Sequence, residues 1–248
     1  MQQPLRLLYD RLYQYFGPQG WWPTTLSGET RPRYYPGEGA RSLSSREQWE
    51  IVVGAVLTQN TAWHNVEQAL HALCSRQVLD LVPLSNLDRA ELARLIRPAG
   101  YFNQKARRLH LISQYILEHH GDTASLLKRP LEALRQELLA LNGIGPETAD
   151  SILLYAAQYP TFVVDSYTRR ICARLGLVDL SISNAELQSR FVQALPADPV
   201  LFNEYHALLV KHATTFCKAK PLCNSCILRK QCPHPMGEKR RRKIRECH

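Results

Sequence analysis

Leu5, Leu8, Leu12 and Tyr15 recur at three- and four-residue intervals, the spacing of one helical face, and Gly17-Pro18 ends the run. The pattern predicts an N-terminal helix. From Thr24 to Ser45 the period dissolves among Gly, Pro, Arg and Tyr, which reads as a long surface loop carrying Arg31, Arg33 and Arg41. Ser44 followed three residues later by Glu47 is a capping-box signature, and Trp49, Val52, Val53, Val56 and Leu57 form an apolar stripe behind it. A buried helix is expected to start there. Helical periods return over residues 65–78, 88–96, 104–119, 131–141 and 146–158, with Pro or Gly between them. No stretch alternates as a strand would, and no internal repeat is found, so the fold class reads as all-α.

A chain of 248 residues with 45% hydrophobic content can bury a substantial core as one large domain or two small ones. No segment approaches the roughly 18 apolar residues of a bilayer-spanning helix. The start MQQPLRLLYDRLYQYF lacks the order of a signal peptide. A cytoplasmic protein with reduced thiols and no membrane partner is therefore expected. The net charge of +9 and pI near 9.3 favour a polyanionic partner, nucleic acid before others. Charge alone does not separate DNA from RNA or from a membrane surface.

Cys217, Cys223, Cys226 and Cys232 fall within sixteen residues as C-x5-C-x2-C-x5-C. Thiols so crowded point to a metal centre. A structural zinc site usually pairs two C-x2-C knuckles and this segment has one, whereas a [4Fe-4S] cluster accepts an uneven loop with one thiolate per iron. Spacing thus favours the cluster while leaving zinc open, with a disulfide pair behind both. Cys74 and Cys172 lie in apolar segments and read as core, and Cys247 lies in a charged tail. The run Lys239-Arg240-Arg241-Arg242-Lys243 in that tail suits phosphate contacts or simple solvation equally.

Between Leu138 and Asp150 one helix ends at Gly143-Ile144-Gly145 and another opens with Pro146 in its first turn. The glycines allow a tight turn and close approach. The free amides of the new helix then offer an anion site for a phosphate. A plain helix-turn-helix corner fits the same residues, until Phe162-Val163-Val164-Asp165 and the four cysteines downstream are taken together with them.

With these motifs in this order, the chain resembles the endonuclease III superfamily of DNA glycosylases from about residue 45 to 232. Trp21-Trp22-Pro23, Leu57-Thr58-Gln59-Asn60-Thr61 and the segment from Arg97 to Lys105 are similar to those of its 3-methyladenine DNA glycosylases. The resemblance implies a two-domain helix-hairpin-helix fold. Its core of six helices would span 46–158 with the hairpin at 138–150. A second helical domain would join 1–45 to 159–232, with the cluster loop at 217–232 and a basic tail at 233–248.

By the same resemblance Asp165 is the catalytic carboxylate, stabilising positive charge on the sugar as the N-glycosidic bond breaks and orienting the attacking water. Without the resemblance Asp165 reads as the N-cap of a helix from Ser166. Family members that also cut the strand carry a lysine where this chain has Glu147, and a carboxylate forms no Schiff base. A monofunctional enzyme is implied, with Glu147 a possible pocket residue or only a favourable charge at the helix start. Lys105 and Lys211 are the other conceivable amines. Trp21, Trp22, Pro23 and Trp63 match a base pocket, where electron-rich rings suit a methylated, positively charged purine. Gln59 and Asn60 match the loop that fills the hole left by a flipped base, while Gly143, Gly145 and Thr148 would hold the DNA backbone. Cys217, Cys223, Cys226 and Cys232 would hold a [4Fe-4S] cluster.

The expected activity is removal of alkylated purines from double-stranded DNA by a nucleoid-associated monomer. The alternatives are a glycosylase for oxidised or mismatched pyrimidines, with or without lyase activity, and a non-catalytic damage-binding protein. Three features depart from the family patterns. The first cysteine spacing is x5 where endonuclease III has x6, a pocket lysine of the cluster-free enzymes falls near Thr214, and the loop from Thr24 to Ser45 is long.

Overall fold

The computed structural model describes residues 2–234, so the Lys239–243 run and Cys247 lie outside the described residues. Those residues form α1 (Gln2–Phe16), α2 (Ser45–Leu57), α3 (Trp63–Ser75), α4 (Leu81–Asn86), α5 (Arg89–Leu95), α6 (Phe102–His120), α7 (Thr123–Leu127), α8 (Leu131–Ala140), α9 (Pro146–Ser151), α10 (Ser166–Arg174), α11 (Asn184–Ala194) and α12 (Pro199–Thr215). Among them there is no strand, only one isolated bridge between Thr24 and Arg33. No described helix is long and apolar enough to cross a membrane.

The contacts divide the chain into two compact units, one of Gly20–Thr161 and the other built from the two chain ends. By these contacts residues 20–45, expected with the chain ends, group with the unit that begins at Gly20. The reason lies in backbone and side-chain contacts that periodicity does not show. Tyr35 donates its amide to the Gly20 carbonyl at 3.1 Å, Arg41 lies 3.3 Å over the Tyr35 ring, and Gln158 donates to the Arg41 carbonyl at 2.7 Å.

At the centre of the core unit, α2 is buried without interruption from Trp49 to Leu57. Its start is a complete capping box, with the Ser44 hydroxyl accepting from the Glu47 amide and the Glu47 carboxylate accepting from the Ser44 amide. Gly54 sits in mid-helix, where glycine costs stability, because a Cβ there would lie 2.8 Å from the Trp22 ring. The last α2 carbonyl, that of Leu57, accepts from the Lys105 ammonium at 2.8 Å, and Ala99 accepts from the same group at 2.7 Å. Lys105 is therefore a buried brace between α2 and α6. Burial pulls its pKa down to about 8, helped by Arg108.

The second unit packs α1, α10, α11 and α12 around Phe162, whose ring stacks on Phe191 at 3.9 Å and meets Phe202 and Tyr205 edge-on. Tyr205 also donates its hydroxyl to the Leu5 carbonyl at 2.8 Å, fixing α1 to α12. Phe162 is thus the apolar anchor from which the chain reaches Asp165 three residues later.

Candidate functional site

The core unit carries the hairpin. Helix α8 ends before Leu141, and Gly143 turns the chain at φ +91°, where a Cβ would lie 2.4 Å from Arg108 Nε. Glycine is required there on both counts. Gly145 caps α9 with extended backbone, supplies no side-chain cap, and a Cβ on it would meet nothing within 4 Å. The first amides of α9 are therefore not consumed by a side-chain cap, and the helical path runs on through a wider turn over Ile152–Ala156. Glu147 is exposed in the first turn, whereas Thr148 is buried.

Gln59 and Asn60 part company. The Gln59 amide donates to the Gly143 carbonyl at 3.0 Å and to the Thr148 hydroxyl at 2.9 Å, while its oxygen accepts from Arg108. It braces the hairpin turn from the end of α2. Asn60 is exposed with a left-handed backbone, φ +53°. Tyr101, 65% exposed at φ +45°, is a second exposed side chain in that sparsely populated conformation, at the start of α6.

Four residues beyond Gln59, Trp63 opens α3 and meets the other tryptophans. Its ring centroid lies 4.6 Å from that of Trp21 and 5.2 Å from that of Trp22. Trp22 also contacts Tyr155 at 5.0 Å. Pro23 is buried next to them in the chain. A further ring arrives from the long loop: Tyr34 lies 6.0 Å from Trp21, accepts the Trp63 indole N–H at 2.7 Å, and donates to Glu67 at 2.8 Å. Tyr34, Tyr155 and Glu67 escaped the sequence reading. A legible signal did exist for Glu67, which lies four residues after Trp63 on one face of α3.

The unit of the chain ends carries Asp165 and the cysteines. Asp165 is the N-cap of α10, with Oδ1 accepting the Thr168 amide at 2.7 Å. Its Oδ2 lies 3.5 Å from His206 Nε2 on α12, and both residues are buried. Burial pushes the Asp165 carboxyl up, but His206 and the Thr168 amide outweigh it and hold it below the ordinary carboxylate value. Asp165 is therefore a buried, ionised and oriented carboxylate. His206 has no local sequence signature and lies 41 residues from Asp165 in the chain.

Cys217, Cys223, Cys226 and Cys232 line one pocket together with Ile171, Leu175, His212 and Phe216. Arg174, at the end of α10, donates to Cys217 Sγ at 3.3 Å and to the Lys218 and Ala219 carbonyls at 2.6 and 3.0 Å, and Arg170 donates to the Cys217 carbonyl at 2.8 Å. Burial raises the Cys226 and Cys232 thiols, and the neighbouring thiols raise them further. Such a set gains from a cationic centre that accepts thiolates. Among the described residues no three His, Cys, Asp or Glu form a group able to hold a metal ion. All four thiols nevertheless line one pocket, and four thiolates around one space are the donor set that either a four-iron cluster or a zinc ion takes. Thr214 and Lys211 lie exposed on α12, and the Thr214 hydroxyl bonds within its own helix.

A helical core with a glycine hairpin and a buried carboxylate after it has relatives. The HhH-GPD superfamily base excision DNA repair protein family matches residues 53–197. A Methanocaldococcus jannaschii protein provisionally named as a DNA repair glycosylase is 42% identical over 227 residues, covering 91% of this chain and 94% of its own. Endonuclease III of Sulfolobus acidocaldarius is 28% identical over 193 residues, 77% of this chain and 83% of its own. Among solved structures, the H. pylori 3-methyladenine DNA glycosylase MagIII bound to 1,N6-ethenoadenine is similar with TM-score 0.61 and 27% identity, covering 70% of this chain and 90% of that one. An endonuclease III–DNA complex, at TM-score 0.72 and 22% identity over 98% of this chain and 99% of that one, shares the fold. The chain belongs to the HhH-GPD superfamily of base excision DNA repair proteins and is a DNA glycosylase of that superfamily.

Proposed function

We propose that this glycosylase is monofunctional and hydrolyses the N-glycosidic bond of alkylated, 3-methyladenine-type purines in double-stranded DNA, acting as a nucleoid-associated monomer. The observation that carries the reading is Asp165, a buried carboxylate kept ionised beside His206. As the base leaves, positive charge grows on the sugar, and a fixed carboxylate in a low-dielectric setting stabilises it without reorganising. The same group orients the water that completes hydrolysis.

The absence of lyase chemistry rests on Glu147, which has no amine to offer, and on Lys105, whose ammonium is committed to the Leu57 and Ala99 carbonyls. The hairpin amides after Gly145 would bind a phosphate, with Gly143 and Thr148 shaping the turn. Asn60 would enter the duplex where the base has left, and Gln59 would hold the hairpin behind it. Trp21, Trp22, Pro23 and Trp63 would receive the flipped base by stacking.

Cys217, Cys223, Cys226 and Cys232 would hold a [4Fe-4S] cluster, with Arg170 and Arg174 securing the loop. When bound, the cluster supplies a cross-link between α12 and the loop that follows it. Iron and acid-labile sulfide at about four each per chain are expected in purified protein; stoichiometric zinc would overturn the assignment. Release of free 3-methyladenine from methylated duplex DNA tests the activity. Removal of thymine glycol or uracil alone would instead favour a pyrimidine enzyme, and binding without base release a damage sensor.

A further inference from the structure

The long loop between Gly20 and α2 is pinned to the core at several points, and its pinning delivers one particular side chain. Thr24 and Arg33 exchange both backbone hydrogen bonds, at 3.2 and 2.9 Å, and His71 of α3 binds the Thr30 carbonyl at 2.9 Å. The loop is thereby folded back along α3, and Tyr34 reaches Trp21 and Trp63. Three partly exposed rings, Trp21, Trp63 and Tyr34, are in mutual contact. Behind them stands a carboxylate: Tyr34 donates its hydroxyl to Glu67 while accepting the Trp63 N–H.

Burial and Glu67 both raise the Tyr34 pKa, so the phenol keeps its proton and remains the donor. The chain of bonds runs from indole N–H through phenol to carboxylate, and the phenol, donating to a full negative charge, is polarised toward a more electron-rich ring. Stacked aromatic faces attract cations through their quadrupoles, and a carboxylate at the same place adds a full negative charge. A neutral base gains stacking from this arrangement and nothing from the charge.

We infer that Tyr34 and Glu67 form the charge-selecting wall of the base pocket and make the enzyme discriminate in favour of purines that carry a formal positive charge over neutral lesions of similar size. The inference rests on the reading of Trp21 and Trp63 as the base-stacking residues, and adds the property on which the substrate is chosen. Glu67 acts on the base through Tyr34 and through its field; Tyr34 touches it. The long loop, which departs from the family pattern, is then the element that supplies specificity.

Two measurements decide the matter. In the first, duplexes with a single 7-methylguanine, which is cationic, or a single hypoxanthine, which is neutral, are compared for release by wild type, Glu67→Gln, Glu67→Asp and Tyr34→Phe. The ratio of the two rates is expected to fall by about tenfold in Glu67→Gln, by less in Tyr34→Phe, and to recover in Glu67→Asp, which restores the charge. In the second, quenching of tryptophan fluorescence by 7-methylguanosine is set against guanosine, with thermal melts to show each variant folded. Wild type should prefer the cation, and Glu67→Gln should abolish the preference. A ratio and a preference that persist unchanged in folded Glu67→Gln overturn the inference. Should no lesion be released at all, the assigned reaction fails, while a cation preference lost in Glu67→Gln would still uphold the charged wall.

Discussion

Two helices of this protein, α9 and α10, begin just after a turn, and their first turns are capped in opposite ways. Helix α9 starts at Gly145, which brings no side chain to the amides, whereas α10 starts at Asp165, whose carboxylate fills the first turn by accepting from Thr168. The first end has no side-chain cap; the second uses the Thr168 amide to fix a carboxylate in place. A helix N-terminus favours negative charge in both cases. What differs is whether the chain supplies the charge itself, and under the proposed function that difference would give backbone binding to one helix and chemistry to the other.

The largest effect should come from breaking the second arrangement while keeping its fold. Asp165→Asn retains an N-cap of equal quality, so thermal stability should change by less than about 1 kcal/mol. Base release should fall by roughly a thousandfold or more, because the neutral amide no longer balances charge on the sugar. Single-turnover release and a thermal melt on the same preparation test both halves. An equal loss of stability and rate would reduce Asp165 to its cap.

The first arrangement should break at Gly143 and merely weaken at Gly145. Alanine at 143 meets Arg108 in a left-handed conformation and should cost about 1–3 kcal/mol, seen as a lower denaturation midpoint. Alanine at 145 meets nothing in the protein, so stability should hold while affinity for duplex DNA falls severalfold by fluorescence anisotropy. Unchanged DNA affinity in Gly145→Ala would remove the hairpin from the interface.

A smaller effect sharpens the chemistry. The Asp165 carboxyl lies below its ordinary value in the folded protein, so its ionised form persists down through the usual carboxylate range and is lost only as pH falls through the depressed value. His206→Phe removes the favourable partner and leaves burial, which raises the carboxyl. The acid limb of the release rate should then move upward by about one pH unit. A profile that only scales down, with its limb in place, would make His206 a packing residue.

Much of this was legible in the sequence where a local rule governs. The Ser44–Glu47 box, the glycine hairpin and the cap at Asp165 are short-range signals, and the structure carries each of them. Short helices such as α4 and α7 are below the length at which a period registers, and α11 and α12 were not singled out although they complete the unit of the chain ends. The loop from Thr24 to Ser45 has no period because tertiary bonds hold it: a bridge, a ring under Arg41, and Tyr34 bound to α3. His206 and Arg174 act on Asp165 and Cys217 from forty or more residues away in sequence, and pattern reading does not reach that far.

In the proposed mechanism Asp165 releases the base and no amine is placed to cut the strand. Duplex DNA methylated in vitro, incubated with wild type and with Asp165→Asn and then analysed for free bases, strand breaks and borohydride-stable adducts, tests it in one experiment. Free methylated purine is expected from wild type alone, with strand breaks only after alkali and no covalent adduct. Strand cleavage without alkali together with efficient trapping, or base release that survives Asp165→Asn, would contradict it.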